Sequence, residues 1–345
     1  MNKAVKITIF IAVLLVIIGV AAVIIYNVNK SEPKEEEPKF DRTLLDTSSV
    51  LGDYVFERVV RELIGMPEGE IDLDSLSSYT ELDLTFSGKS TDDDNKIISL
   101  EGLKYFPNLK KLILDYNLIS DLSPLESCIN LTYLSLEGCR IRKADELKNL
   151  TNLKYLSLKN TQLFDTKFLA NLSELEVLNL SQTEIFGLTV LYENEFPQLK
   201  ELYIDGTGMF ELRYIYDIKT LEVLDLSYLE IKDENLSGIE NLKNLKKLIC
   251  ARNSIETLDT LYELKNLEYL DISVNRIKDI SGISALSQLE ELYAGSNMIS
   301  NIKPLKNLED LKKLDVSNNN IVDFNVLKDM NLEEFDVSGN WAEYE

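Results

Sequence analysis

The sequence predicts a solenoid: one array of stacked turns, each giving a short strand to a common sheet, entered through a helical cap and preceded by a transmembrane helix. Three observations carry this. Leucine recurs at Leu109, Leu131, Leu153, Leu175, Leu199, Leu221, Leu245, Leu267, Leu289, Leu311 and Leu332, in steps of 22, 22, 22, 24, 22, 24, 22, 22, 22 and 21. Around each leucine the apolar residues hold fixed places, so the chain serves as its own alignment. Near the N-terminus a single run, Ile7 to Tyr26, is apolar except for Thr8 and Gly19.

That run is about 30 Å long as a helix, the thickness of a bilayer's hydrocarbon core. We read residues 7–26 as an uncleaved anchor, because the apolar stretch continues past the small residues Val20, Ala21 and Ala22 that would suit a signal peptidase. Residues 1–6 then form a short cytoplasmic head with Lys3 and Lys6, and Lys30, Lys34 and Lys39 follow the span. The near balance makes orientation a matter of the large acidic body, which favours the outside. Residues 27–47, with Pro33, Pro38 and the run Glu35, Glu36, Glu37, read as an extended, self-repelling linker.

Residues 48–78 carry the cap. Leu51, Val55, Phe56, Val59, Val60 and Leu63 fall on one helical face, with Ser48 or Ser49 as N-cap and Gly65 with Pro67 as the stop. Such a helix seals the first open end of a stack whose outer face would otherwise expose the core. The array occupies 79–345, and its first turn is eight residues longer than the standard step. The excess fits best as Ser87 to Asp94, where Asp92, Asp93 and Asp94 are either a solvated acidic loop or weak candidates for a divalent metal.

In each copy the first, fourth and sixth places point to one core, since a strand alternates sides and its flanks turn inward. The fourth place is Leu except at Phe335, and the eleventh is apolar throughout. The ninth place carries Asn117, Asn253, Asn275, Asn297, Asn319 and Asn340, a ladder of asparagines able to bond the backbone of a neighbouring turn. These are structural residues. The ladder fails from Cys139 to Leu229, where two repeats also lengthen to 24 residues, and an altered curvature is expected there. Cys128, Cys139 and Cys250 sit in packed columns and are expected to be unbridged.

The phrases Asn108-Leu109-Lys110-Lys111-Leu112-Ile113-Leu114-Asp115-Tyr116-Asn117-Leu118-Ile119-Ser120-Asp121-Leu122-Ser123-Pro124-Leu125 and Asn149-Leu150-Thr151-Asn152-Leu153-Lys154-Tyr155-Leu156 resemble the 22-residue leucine-rich repeats of bacterial internalins. The lead-in from Arg61 to Ile71 is similar to the cap seen before such arrays in Gram-positive surface proteins. The resemblance implies an α/β solenoid, a right-handed horseshoe with a parallel sheet on its concave side, used to bind proteins. It transfers no individual contact residue, and no Leu-Pro-x-Thr-Gly sorting signal follows the repeats.

A partner is expected on the concave sheet, at the third, fifth, seventh and eighth places. Those columns hold twelve acids against five bases, and seven tyrosines. The candidate contact residues are Tyr116, Tyr133, Tyr155, Tyr203, Asp205, Asp225, Tyr228, Tyr269, Asp271, Tyr293 and Asp315. Tyrosine gives contact area at low entropy cost and keeps a hydroxyl for hydrogen bonding, although cross-strand packing alone would also collect aromatics. Acids and rings together suit a basic protein or peptide, or a sugar polymer from a cell wall or host.

A net charge of −23 argues against nucleic acid. The absence of histidine removes the commonest general base and metal ligand, and no motif calls for a cofactor, so an enzyme is not expected. Two functional readings stay open. One is a membrane-anchored, outward-facing binding protein at the cell surface. The other is a cytoplasmic-facing regulatory scaffold resembling the phosphatase-regulating proteins built from the same repeat.

Overall fold

The structure is a computed structural model, which describes residues 49–88, 93–209 and 211–341. The anchor at 7–26, its flanks at 1–6 and 27–47, Ser48 and Asp92 lie outside the described residues. Among the described residues no helix is long and apolar enough to cross a membrane.

Twelve three-residue strands, β1 (Glu81–Asp83) through β12 (Glu334–Asp336), form one sheet in chain order, and every neighbouring pair is parallel. Register is set by the fourth-place residue: Leu112 lies beside Leu134, Leu134 beside Leu156, and so on to Leu314 beside Phe335. Its flanking residues face away from the core, which gives most strands an alternating burial pattern. The first, fourth, sixth and eleventh places of the inner turns are buried in one continuous cluster. A single turn cannot enclose these residues, but each turn roofs the last. The final strand departs from this, with Phe335 45% exposed.

The parallel sheet of the expected α/β horseshoe is present, and its convex side is built mainly from short 3-10 helices. Most of the returning segments contain a 3-10 helix of three to five residues, as at Ser123–Ser127, Asp145–Asn149 and Lys303–Asn307. A 22-residue coil leaves too little chain for several α-helical turns, and 3-10 geometry suits short pieces. The longer repeats are absorbed here. One forms a short α-helix, Thr189–Glu193, and the other splits its helix into Asp233–Leu236 and Ile239–Asn241. Strand pairing passes through both without change, so the two irregular repeats differ from the rest on the convex side.

The cap helix α1 spans Tyr54–Ile64 and ends, as expected, at a left-handed Gly65. Its N-cap is Asp53 rather than Ser48 or Ser49: one Asp53 oxygen accepts the Val55 and Phe56 N–H groups at 2.9 and 3.0 Å. Ser49 instead donates to Glu57 at 2.7 Å. Leu63 is also corrected. It is half exposed, because the buried stripe follows four-residue steps from Phe56 and Val60 to Ile64.

The first turn's extra residues lie between Leu84 and Ile97, consistent with the expected insertion. Ile97 already occupies the eleventh place, because its carbonyl accepts from Leu118 and its N–H donates to the Asn117 amide oxygen. Asp93 faces cations: Lys96 lies at 2.7 Å and Arg140 at 3.7 Å. Among the described residues no group of acids or cysteines could hold a metal. The weak metal reading of Asp92, Asp93 and Asp94 therefore gains no support from the two residues described.

The eighth place carries a constraint that the sequence reading passed over. Tyr116, Gly138, Asn160, Gln182, Gly206, Tyr228, Arg252, Val274, Ser296, Asn318 and Gly339 all have φ between 52° and 70°. Glycine and asparagine recur here because they tolerate the left-handed region. Valine, branched at Cβ, does not. Val274→Asn should therefore raise stability by about 1 kcal/mol, read as a higher urea midpoint; an unchanged midpoint would show that the strain at Val274 is relieved elsewhere.

Candidate protein-binding face

The third and fifth places of each strand stand on the open face of the sheet, with the seventh and eighth at its exit edge. Tyr133 and Tyr155 occupy the same place on adjacent strands. Their rings stack at 4.0 Å, only 3° from parallel. Lys111, one strand earlier, lies 5.2 Å from the Tyr133 centroid. The same grouping returns farther along, where Lys247 lies 4.2 Å from the Tyr269 centroid and Tyr269 meets Tyr293 at 5.3 Å. Tyr203 and Tyr293 donate to Glu201 and Glu291 at 2.7 and 2.9 Å. Cross-strand packing thus accounts for much of the aromatic column.

Tyr116 and Tyr228 differ. Both sit at the left-handed eighth place and are 49% and 56% exposed. Arg252 lies over Tyr228 at 5.1 Å. Burial raises the phenol pKa values of Tyr155, Tyr203, Tyr269 and Tyr293, with nearby carboxylates adding at each; Tyr269 and Tyr293 reach about 12. These rings remain neutral hydrogen-bond donors at physiological pH.

Three of the candidate acids have a structural duty. Asp225, Asp271 and Asp315 accept the N–H of the serine two residues on, at 2.9, 2.9 and 2.8 Å. This local turn closes the strand exit. At the seventh place Asp115 accepts from Ser135 at 2.6 Å and from the Glu137 N–H at 2.9 Å. The signal for the Asp225, Asp271 and Asp315 turns was present in the recurrent Asp-x-Ser spacing. Asp205, also at the seventh place, is half-buried beside Asp225.

Burial raises the pKa of Asp225, and the charges of Asp205 and Asp271 add to the effect against the Ser227 bonds. An acid with a raised folded pKa binds more protons in the native state, so its ionised form costs stability as pH rises through that window. Asn179 shows that an amide can do the turn's work, accepting the Ser181 N–H at 3.0 Å. Asp225→Asn should therefore stabilise the fold at pH 7 by on the order of 1 kcal/mol. The gain should vanish below about pH 4, where the wild-type carboxyl is itself protonated. Equal urea midpoints of the two proteins at pH 7 would refute this.

The asparagine ladder is structural in detail. Asn275 donates to Cys250 O and Ile272 O at 3.0 and 3.1 Å, while its oxygen accepts Ile255 N–H at 3.0 Å. Asn117, Asn253, Asn297, Asn319 and Asn340 repeat the pattern. In the gap, Thr161, Thr183 and Thr207 bond only a carbonyl of their own turn. Cys139 reaches the preceding turn through Leu114 O at 3.3 Å. All three cysteines are free and buried. Burial raises every thiol pKa, that of Cys139 to about 12, so none is primed as a nucleophile.

The comparisons with known proteins agree with this architecture. A family model described as "Leucine Rich repeats (2 copies)" matches residues 243–285, 265–306 and 287–329. Among solved structures, an internalin of Listeria monocytogenes, InlF, is 29% identical, with 84% of this chain and 89% of that chain covered and a TM-score of 0.69. The functional domain of InlJ, also from Listeria monocytogenes, is 24% identical over 82% of this chain and 59% of its own, with a TM-score of 0.65. A plant peptide hormone receptor, RGFR1 in complex with RGF2, shares the fold at 18% identity and a TM-score of 0.57; the match covers 79% of this chain and half of the receptor chain. The comparison with curated proteins gives no match. In repeat sequence and in fold the chain is similar to internalin-type leucine-rich repeat proteins of bacteria.

Proposed function

We propose that this internalin-like chain is a membrane-anchored, surface-exposed binding protein that takes a basic protein or peptide onto its concave sheet. The observation that carries the reading is how the tyrosines stand. Lys111, Tyr133 and Tyr155 form a file in which the Tyr133 ring lies between the Lys111 ammonium and the Tyr155 ring. Sugar recognition uses open aromatic faces, so the file disfavours a polysaccharide. Neutral tyrosine hydroxyls among carboxylates suit a polypeptide with cationic side chains. The reading involves no catalysis, in keeping with the lack of histidine and the buried thiols.

Replacing Tyr133, Tyr155, Tyr203 and Tyr269 together by Ala should abolish partner capture by the full chain while the strand signal in circular dichroism persists. Capture at the wild-type level by that folded variant would overturn the concave-face reading. Placement is tested separately, by protease treatment of intact cells carrying a tag after Glu345. Loss of the tag supports surface exposure through the anchor at 7–26. Protection until lysis would replace it with the cytoplasmic-facing scaffold.

A further inference from the structure

Two ladders tie successive turns together at the exit edge of the sheet. One is the asparagine column. The other is a backbone bond from the tenth-place N–H to the preceding eleventh-place carbonyl, seen from Gly208 to Ile185 at 3.0 Å, Ser254 to Ile231 at 2.9 Å and Met298 to Ile277 at 2.8 Å. Between Met209 and Glu230 neither is formed among the described bonds. Leu229 stands where asparagine would reach back, and both its neighbours, Tyr228 and Glu230, have φ 56°. A cleft of about 420 Å³ lies there; the same pair of bonds is also absent between Ile141 and Gln162 among the described residues.

The cleft has a mixed lining. Met209, Leu229 and Ile231 supply an apolar floor, the Gly208 backbone a wall, and Tyr228 and the exposed Glu230 a polar rim. Phe186, 65% exposed, lies across Gly208 so closely that a β-carbon there would come within 2.6 Å of its ring. Tyr228 belongs both to the cleft and to the concave face, so the two surfaces are continuous. Arg252, which lies over the Tyr228 ring, does not line the cleft.

We infer that this break in the ladders is an anchor site for a single arginine side chain of the partner bound on the concave sheet. The inference rests on the concave-face reading and sharpens it. An aliphatic stem packs on Met209 and Leu229, and a planar cation meets the Glu230 carboxylate at the rim and the Tyr228 ring beside it. A neutral side chain of the same shape would lose the charge-assisted part of this contact.

The test uses the full chain with 13C-methyl methionine, whose methyl groups are few: Met1, Met66, Met209, Met298 and Met330. N-acetyl-arginine methylamide is titrated against its citrulline counterpart. The Met209 signal should shift saturably with the arginine probe and about tenfold more weakly with citrulline. Met298, on the same edge of a turn whose asparagine bonds are complete, should stay still. Leu229→Asn should reach Ile204 O and Met209 N, close the cleft, and abolish the Met209 shift without lowering the melting temperature. Glu230→Gln, at an exposed position, should reduce the arginine response to the citrulline level, and it tests the site even if Leu229→Asn fails to fold. A still Met209, equal responses to the two probes, or an undiminished response in Glu230→Gln would overturn the anchor site. The tyrosine variant described above then decides the wider reading independently.

Discussion

Asp53→Asn is expected to destabilise the N-terminal part of the array by on the order of 3 kcal/mol, although the same change at Asp225 should stabilise it. Asp53 is 4% exposed and uses both carboxylate oxygens. One caps α1 through Val55 and Phe56; the other accepts Ile98 and Ser99 N–H groups of the first turn at 2.8 and 3.0 Å. An amide must turn its NH2 toward one of those donor pairs, so either the cap or the tie is replaced by facing donors. Asp53→Ser should cost about half as much, because a hydroxyl keeps the cap and loses only the tie. Urea titration with hydrogen exchange on the α1 amides would measure this, and a loss below about 1 kcal/mol for Asp53→Asn would refute the fourfold role.

Asp53 also shows where the sequence stopped being legible. A helix face and a stop at Gly65 can be read from spacing, but an acid that caps its helix and also binds a loop 45 residues on cannot, because the second bond has no local signature. The leucine columns, strand register and asparagine ladder were legible because repetition shows the same packing problem eleven times. The same repetition held the left-handed eighth place and the Asp-x-Ser turn. These were obscured because Val274 and Tyr116 interrupt the first pattern, and because an acid on an open face reads as a contact residue before it reads as a turn. Of the candidate face, residue types and columns were visible, but the stacking of Tyr133 on Tyr155 depends on distances that composition does not contain.

The ladder supplies the other large expected effect. Asn319 is 3% exposed, donates to Ala294 O, Val316 O and Ser317 O at 3.0, 3.1 and 3.0 Å, and accepts Ile299 N–H at 2.9 Å. Asn319→Ala leaves these backbone groups without their side-chain partner where water has little access, and should cost on the order of 3 kcal/mol. Asn319→Thr should cost less, because Thr183 shows that a hydroxyl keeps the bond within its own turn, to Leu180 O at 2.7 Å. The difference between the two variants isolates what joins one turn to the next. In a stack, stability depends on such nearest-neighbour terms, so loss of this link should also uncouple the turns after Asn319 from those before it. Hydrogen exchange should then show the amides of β12 and its preceding turn opening independently in Asn319→Ala, while those of the strands near Leu112 keep wild-type protection. Uniform loss of protection along the array would mean that the asparagines stabilise each turn separately and do not link neighbours.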